Sequence, residues 1–493
     1  MPLVLAMFVA WAAACGRAPA ASPPAPAEAC VAWPGSEARV DSAAVVLTWA
    51  IDPANRARPT NPGERFVVAQ AYEPLVGTDC LGRLTPSLAK SWTMVDGGHR
   101  VRLALRDSAR FWNGDLVTAR DVIAGWSTTG QTPWAVLPRR AAQTATVIDD
   151  RTLEIDCDPV RGQVIGARVG TASPERCAAL VALGDPGLVV TRDGGGSGWP
   201  EGTGRYRIRD PGVSPSGTHR TLVLDPGDHA PGARLLIHSV GGADARDLVD
   251  AGVDLLLTDD PALASYAAAR AAGASLPLGW DRTWVLVAPS PPSPPSPPMH
   301  PESVVTRTAA LREALARNAV RAEARGAEWP GWFRDVPACA PRIARRPPAR
   351  TSSRVTVSRG EPIARGLAER LVALAAGGSG AGQDSSLAIL APQLHALGAR
   401  LTTGAVEPND FASMLRDGGD VGYVMAVPRR SLAPCVAAEQ LGTMVPWLVA
   451  DTAGLRLAAH VAPLIDTRLR AVVRRDWLAL TMTWDSTVVI SRP

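Results

Sequence analysis

Residues 73–126 read EPLVGTDCLGRLTPSLAKSWTMVDGGHRVRLALRDSARFWNGDLVTARDVIAGW, and they hold three local signals in a fixed order. From His99 to Arg106 apolar and polar residues alternate, with Val101, Leu103 and Leu105 on one face and Arg100, Arg102 and Arg106 on the other. A period of two predicts a strand with one buried side. Phe111-Trp112-Asn113-Gly114-Asp115 then supplies a turn. Val117 to Val122 opens a helix: Thr118 can cap the free N–H groups, Asp121 can cap back, and Val117 with Val122 can staple the entry.

The chain has 493 residues, too many for one compact core, so two or three domains are expected. With 46% hydrophobic and 20% charged residues it has the composition of a soluble globular protein. A net charge of +4 gives no ground for a nucleic-acid or strongly acidic partner. Leu3 to Ala14 is an apolar run too short to span a bilayer, for which roughly 20 residues are needed. It ends in Ala12-Ala13-Ala14-Cys15, which resembles a bacterial lipoprotein signal. That implies a signal peptide over 1–14, lipidation of Cys15 and a Pro/Ala/Ser-rich tether over 15–30.

The order of motifs within 73–126 resembles the solute-binding proteins of bacterial ABC importers, in the family that takes up peptides and nickel. Its members read "EPL", then "P-x-LA-x-SW", an amphipathic strand, "F-x-(D/N)-G" and "TA-x-DV". Here these are Glu73-Pro74-Leu75, Pro86 to Trp92, Phe111 to Gly114 and Thr118 to Val122. Farther along, Ile51-Asp52-Pro53 resembles the family's first cleft loop, and Gly202-Thr203-Gly204-Arg205-Tyr206 its "GTG-P-Y" turn. Ala251 to Leu257 resembles its "(S/A)-G-x-x-D" step into a buried strand. The resemblance covers about residues 40 to 490.

What it implies is an α/β, two-lobed periplasmic-binding-protein type 2 fold with a hinge and an extra subdomain in the first lobe. The first lobe is expected over 31–288, with the subdomain at about 73–190, completed by 446–493. Residues 289–298, a Pro/Ser run that favours extended polyproline II, are expected as a linker, and 299–445 as the second lobe. Trp284 to Ala288 is expected to cross between lobes and Asp420 to Ala426 to return through the cleft. Helices are expected over 307–324, from Ile363 to Leu374 and over 409–417, and strands at 235–257 (flanking a helix), 355–358 and 399–401. Six cysteines besides Cys15 allow fifteen pairings. Cys157 with Cys177, and Cys339 with Cys435, would each stay within one expected lobe, and are preferred on that ground.

An enzyme reading finds no foothold. Neither Ser197 nor Ser379 sits in G-x-S-x-G. The seven histidines are scattered singly, without metal-ligand spacing. The neighbours Asp149-Asp150 and Asp259-Asp260 would point apart on a strand or turn. No cofactor or metal is expected. A binding protein needs instead a cleft with a few polar anchors in an aromatic wall. By resemblance the cleft candidates are Asp52, Asn55 and Arg56 in the first loop, Tyr72 and Glu73 at the next corner, and Arg429 and Arg430 after the returning strand. Trp92, Trp112 and Trp126 are expected to pack the first lobe. Peptide-binding members place an aspartate after the returning strand, able to hold a peptide's amino terminus. This chain reads Val427-Pro428-Arg429-Arg430-Ser431, a change that favours an anionic group over an ammonium.

The function expected is therefore an extracytoplasmic, membrane-anchored monomer. It would capture a peptide-like or other small solute and deliver it to the permease subunits of an ABC transporter. The alternative is a lipoprotein of the same fold that senses or docks without transport.

Overall fold

The computed structural model describes residues 30–35, 41–53, 59, 61–129, 141–157, 177, 179–180, 183–193, 198–213, 219–227, 232–241, 243–270, 273–288, 324–326, 352–375, 401–429, 444–445, 447, 461–474, 477 and 479–491. Cys15, Asn55, Arg56, Arg430, Cys339, Cys435, the Pro-rich run and residues 307–323 of the helix expected over 307–324 lie outside the described residues, while Ala324 opens a strand instead.

In chain order come β1 (Val31–Trp33), β2 (Ser42–Leu47), α1 (Pro62–Ala71), β3 (Val76–Thr78), β4 (Leu84–Pro86), β5 (Ala89–Val95), β6 (Arg100–Leu105), α2 (Ala119–Thr129), β7 (Thr146–Asp149) and β8 (Thr152–Asp156). Next are β9 (Tyr206–Val213), β10 (Arg220–Pro226), β11 (Arg234–Ser239), α3 (Arg246–Ala251), β12 (Leu255–Thr258), α4 (Pro261–Arg270) and β13 (Ala274–Val287). The remainder is β14 (Ala324–Gly326), β15 (Arg354–Ser358), α5 (Pro362–Ala375), β16 (Thr402–Val406), α6 (Pro408–Asp417), β17 (Gly422–Pro428), β18 (Val461–Val473), β19 (Ala479–Met482) and β20 (Val488–Ser491). The strand expected at 399–401 falls instead at 402–406, because the ladder with β15 begins at Thr402.

The stretch from 73 to 126 behaves as its pattern dictates. Val101, Leu103 and Leu105 of β6 are fully buried. Arg100 and Arg102, on the outer face, both pair with Glu154 of β8. Thr118 and Asp121 form the reciprocal cap, Thr118 N–H donating to Asp121 Oδ2 at 2.8 Å and Asp121 N–H to Thr118 Oγ1 at 3.2 Å. Val117 and Val122 are buried beside it. The four-stranded sheet β5-β6-β8-β7 and α2 close around a core of their own that runs from Leu75 to Val190. Trp126 is buried in it, its Nε1 donating to Leu188 O at 3.1 Å.

Two disulfides close this first part. Cys157–Cys177 is the pairing preferred from the sequence, while Cys30–Cys80 was not anticipated. The latter ties the residue before β1, which pairs with β19, to the loop between β3 and β4. Only the tertiary course of the chain brings positions 50 residues apart together there.

One sheet runs through both lobes in the order β16-β15-β17-β13-β18-β12-β2-β11-β10-β9. In the first lobe β2 lies parallel to β11 and β12; in the second β15 lies parallel to β16 and β17. Alternation sorts the strand residues between faces. Val45 and Leu47 face α1 with Phe66 and Val67, whereas Val46 and Leu256 face α3 and α4 with Val249 and Leu263. In the second lobe Trp284 and Leu286 pack with Leu367 and Leu371 of α5, and Val285 and Val287 with Phe411 and Leu415 of α6.

The long antiparallel strands β13 and β18 join the lobes. Ala274 to Pro277 pair with Val473 to Arg470 on the first-lobe side, and Arg282 to Val287 pair with Thr467 to Val461 on the second. Between them the ladder is irregular, with register shifts from Pro277 to Trp280 and from Trp280 to Arg282. Residues 284–287 and 464–465 therefore belong to second-lobe cores, as do Val445 and Trp447. Each of the two strands is continuous across the hinge and buries its two halves in different cores, Leu278 and Leu469 in one and Trp284 and Ile465 in another.

Candidate functional site

Strand direction places the cleft. Arg470 of β18 has Thr258, the last residue of β12, on one side and Pro277 on the other. The parallel strands of the first lobe thus end at the hinge. In the second lobe Pro428, the last residue of β17, pairs with Arg282 just beyond the hinge, and β15 runs parallel to β17. The carboxyl ends of both parallel sets converge on the same hinge, the edge where open α/β sheets bind ligands.

Several charged residues follow those strand ends. Asp52 lies in the loop after β2, Asp259 and Asp260 after β12, Arg359 and Glu361 after β15, and Arg429 after β17. The first of these loops is pinned at both ends. Asn61 caps α1 through Glu64 N–H at 2.9 Å and holds Ala50 O at 2.8 Å, while Glu64 Oε1 accepts from Asp52 N–H at 3.1 Å.

The hinge itself is a cluster of buried ions. Asp281, with no exposed surface, takes Arg65 of α1 at 3.1 Å and Arg282 at 3.2 Å, both on Oδ2. Arg65 also approaches Asp485, in the turn before β20, at 3.7 Å. Arg282 reaches back to Asp259 at 3.7 Å. Asp466 accepts from Thr283 Oγ1 at 2.7 Å and pairs with Arg325 of β14 at 3.3 Å. Trp280 carries guanidinium groups of Arg325 and Arg468 at 4.6 and 4.7 Å from its ring centre. The main chain of Arg429 donates to Asp281 O at 2.6 Å, and its guanidinium stacks 3.2 Å from the ring centre of Trp484.

The electrostatics follow from this packing. Burial, and next the neighbouring Arg325, lower the Arg429 guanidinium to about 10, against the partial support of Asp485, Asp466 and Asp281. Burial also opposes the charge of Arg282, but Asp281, Asp259 and Glu361 outweigh it and raise its pKa. The carboxyl groups of Asp259 and Glu361 are both raised, first because protein surrounds them and despite Arg282. Glu361 keeps an exposed surface, yet Arg282 at the hinge and Asp259 of the first lobe act on it.

A cavity of about 400 Å³ opens along α1 from Arg65 and Gln70 to Tyr72, Glu73 and Pro74, with Asp485 and Thr487 on its other side. The two corner residues proposed from sequence therefore line a cavity, but their polar groups are committed within the fold. Glu73 receives both terminal nitrogens of Arg106 at 2.8 Å. Tyr72 is buried, its hydroxyl donating to Pro200 O at 3.1 Å and its ring lying 5.6 Å from Trp112. Asp52 stands at the strand-end edge and Arg429 in the hinge, joined through the Glu64–Arg65 turn of α1 rather than by direct contact.

Sequence reasoning missed Arg65, Asp281, Arg282, Asp259, Glu361 and Trp484. One signal was present: Trp280-Asp281-Arg282 puts a charged pair at the head of an apolar strand, where burial demands partners. Arg65 carried no such signal, since an arginine on an amphipathic helix normally faces water. Among the described residues no group of three or more His, Cys, Asp or Glu could hold a metal ion.

The family model described as bacterial extracellular solute-binding proteins, family 5 middle, matches residues 83–174. The probable deoxycholate-binding periplasmic protein YgiS of Escherichia coli K12 is 27% identical over 120 residues, which are 24% of this chain and 21% of that protein. The nickel-binding periplasmic protein of the same organism is 41% identical over 54 residues, 11% of this chain and 10% of that protein. The chain thus aligns with about a fifth or less of the curated relatives it matches. Among solved structures, the murein tripeptide binding protein MppA of Escherichia coli has a TM-score of 0.55 at 12% identity, covering 92% of this chain and 99% of that one. That likeness is one of fold, and the fold is the two-lobed periplasmic-binding one.

Proposed function

We propose that this chain is a family 5 extracellular solute-binding protein, which captures a small solute between its lobes and delivers it to the permease of an ABC importer. The observation that carries this reading is the convergence of both parallel-strand edges on one hinge of two continuous strands. That arrangement puts the cleft beside the irregular ladder between Pro277 and Arg282. The match of the family's middle module to residues 83–174 supports it, as does a buried charge cluster placed where the lobes meet. Ligand binding would favour the closed arrangement by touching both walls, and the closed form is what a permease would recognise. The chemistry is capture and release, with transport energy coming from the transporter's ATPase.

In this reading the protein works outside the cytoplasm as a monomer, held at the membrane by lipid on Cys15. No helix among the described residues is long and apolar enough to cross a membrane.

The test is a thermal-shift and tryptophan-fluorescence screen of the chain from residue 16 onward, against peptides, anionic metabolites, nickel chelates and sugars. Small-angle scattering on every hit completes it. The expected result is saturable stabilisation by one class together with a smaller radius of gyration. Saturable binding with no compaction would argue against hinge closure. A folded sample silent across the panel would favour a sensing or docking lipoprotein.

A further inference from the structure

Buried polar atoms in folded proteins almost always have hydrogen-bond partners. At the hinge, five such atoms have none among the described residues: Arg65 Nε, Arg282 Nη2, Arg429 Nε, Trp484 Nε1 and Asp281 Oδ1. Four are donors and one is an acceptor. They belong to one connected group. Arg65 and Arg282 share Asp281 Oδ2, Arg429 is bonded through its main chain to Asp281 O, and Arg65 approaches Asp485 beside Trp484.

The ion pairs of the cluster are unevenly shared. Arg65, Arg282 and Arg325 each face a carboxylate. Arg429 makes no ion pair with any described carboxylate. It has the ring of Trp484 against one face and a long contact of 3.5 Å from Nη1 to Trp280 O. The residue as a whole is only half-buried, although its Nε is enclosed. A guanidinium in this state is costly by itself and gains most from a planar acceptor such as a carboxylate or phosphate, which it can grip with two parallel N–H groups.

We propose that Arg429, stacked on Trp484 and backed by Arg65 and Arg282, anchors an oxyanionic group of the ligand at the hinge, so that the captured solute is an anion. This rests on the solute-binding reading above and adds the ligand's chemical class. Four unmet donors against one unmet acceptor disfavour an ammonium in the same place, which would add donors where acceptors are lacking. The site couples binding to the hinge directly: Arg429 ends a second-lobe strand, Trp484 and Arg65 belong to the first lobe, and Arg282 lies on the crossing strand.

The test uses the full chain after residue 15 with succinate, citrate and inorganic phosphate as anionic probes, and succinamide and putrescine as uncharged and cationic counterparts. Thermal shift and titration calorimetry are the readouts. At least one anion is expected to bind saturably, with affinity falling tenfold or more in Arg429→Gln, less in Arg429→Lys, and less than twofold in Arg246→Gln on the exposed α3. Without ligand, Arg429→Gln is expected to melt at or above the temperature of the parent. A drop of about 4 °C or more would make Arg429 a structural strut and overturn the proposal. Binding of succinamide or putrescine alone, unchanged by Arg429→Gln, would overturn the anion assignment and keep solute binding. Silence toward all three anions overturns the anion site, and silence toward all five probes also counts against solute binding.

Discussion

Arg65 of α1 and Asp281 of β13 form an ion pair at 3.1 Å in which the side chains keep only 2% and 0% of their surface. The pair fastens the first helix of the first lobe to the strand that leaves that lobe. Breaking one side of a buried pair leaves an uncompensated charge and costs about 3–5 kcal/mol. Asp281→Ala is expected to lower the unfolding free energy by about that amount, read from urea denaturation. The double variant Arg65→Met with Asp281→Leu should recover part of the loss, because Arg65 no longer stands without Asp281, while Arg282 falls back on Asp259 and Asp485 loses Arg65. A double variant as unstable as the sum of its singles would show that the pair matters only through packing.

Reduction should destabilise the first lobe. The loops closed by Cys157–Cys177 and Cys30–Cys80 have sequence separations of 20 and 50. Chain entropy alone gives about 3 and about 4 kcal/mol for loops of those lengths. Separate Cys→Ser pairs, melted with and without reductant, check this. The Cys30–Cys80 variant should lose more, and neither variant should respond further to reductant at the bond it lacks.

Gly202 and Gly204 are expected to resist substitution. A Cβ on Gly202 would stand 2.4 Å from Ala71 O and 2.6 Å from the ring of Tyr72. On Gly204 it would stand 2.4 Å from the main-chain carbon of Ala71. The turn lies flat on the end of α1, with Gly204 N–H donating to Ala71 O at 2.9 Å. Alanine at either position should cost about 1–3 kcal/mol through overpacking, measured by chemical denaturation. By contrast Gly366→Ala on α5, where a Cβ meets nothing within 4 Å, should be neutral or stabilising.

The raised carboxyl groups of Asp259 and Glu361 give a pH dependence of defined sign. A group whose folded pKa exceeds its unfolded one binds its proton more tightly in the native state. Their contribution therefore favours folding increasingly as pH falls through the raised values, and levels off below the ordinary values of 3.8 and 4.5. Glu361→Gln removes one such group, so stability should fall less with rising pH than in the parent between about pH 4 and 7. Urea midpoints across that range provide the measurement. An unchanged slope would mean that Glu361 is too open to solvent for its surroundings to raise it.

Much of the fold was legible in the chain because its signals are local. The alternation from Val101 to Leu105 and the Thr118–Asp121 cap need only neighbours to be read, and the Gly202–Gly204 turn was expected from its resemblance to the family's. Arg151 to Cys157 was likewise readable as a half-buried strand, and the structure has β8 there with Leu153 and Ile155 buried. The candidate site was legible only in outline. Asp52 and Arg429 do stand at the strand-end edges of the two lobes, but Tyr72 and Glu73 turned out to spend their polar groups on Pro200 O and Arg106.

By itself, then, the sequence determined where the strongly patterned strands and helices lie and which faces they bury, since periodicity and capping act over a few residues; the expectation of two lobes joined by crossing strands came from the family resemblance. Tertiary structure alone decided that Arg65, Asp281 and Asp485 meet, that Arg282 reaches Asp259, that Cys30 finds Cys80, and that Arg429 lies on Trp484. Burying a charge or closing a disulfide requires partners from distant segments, and these become neighbours only after the long strands have crossed the hinge.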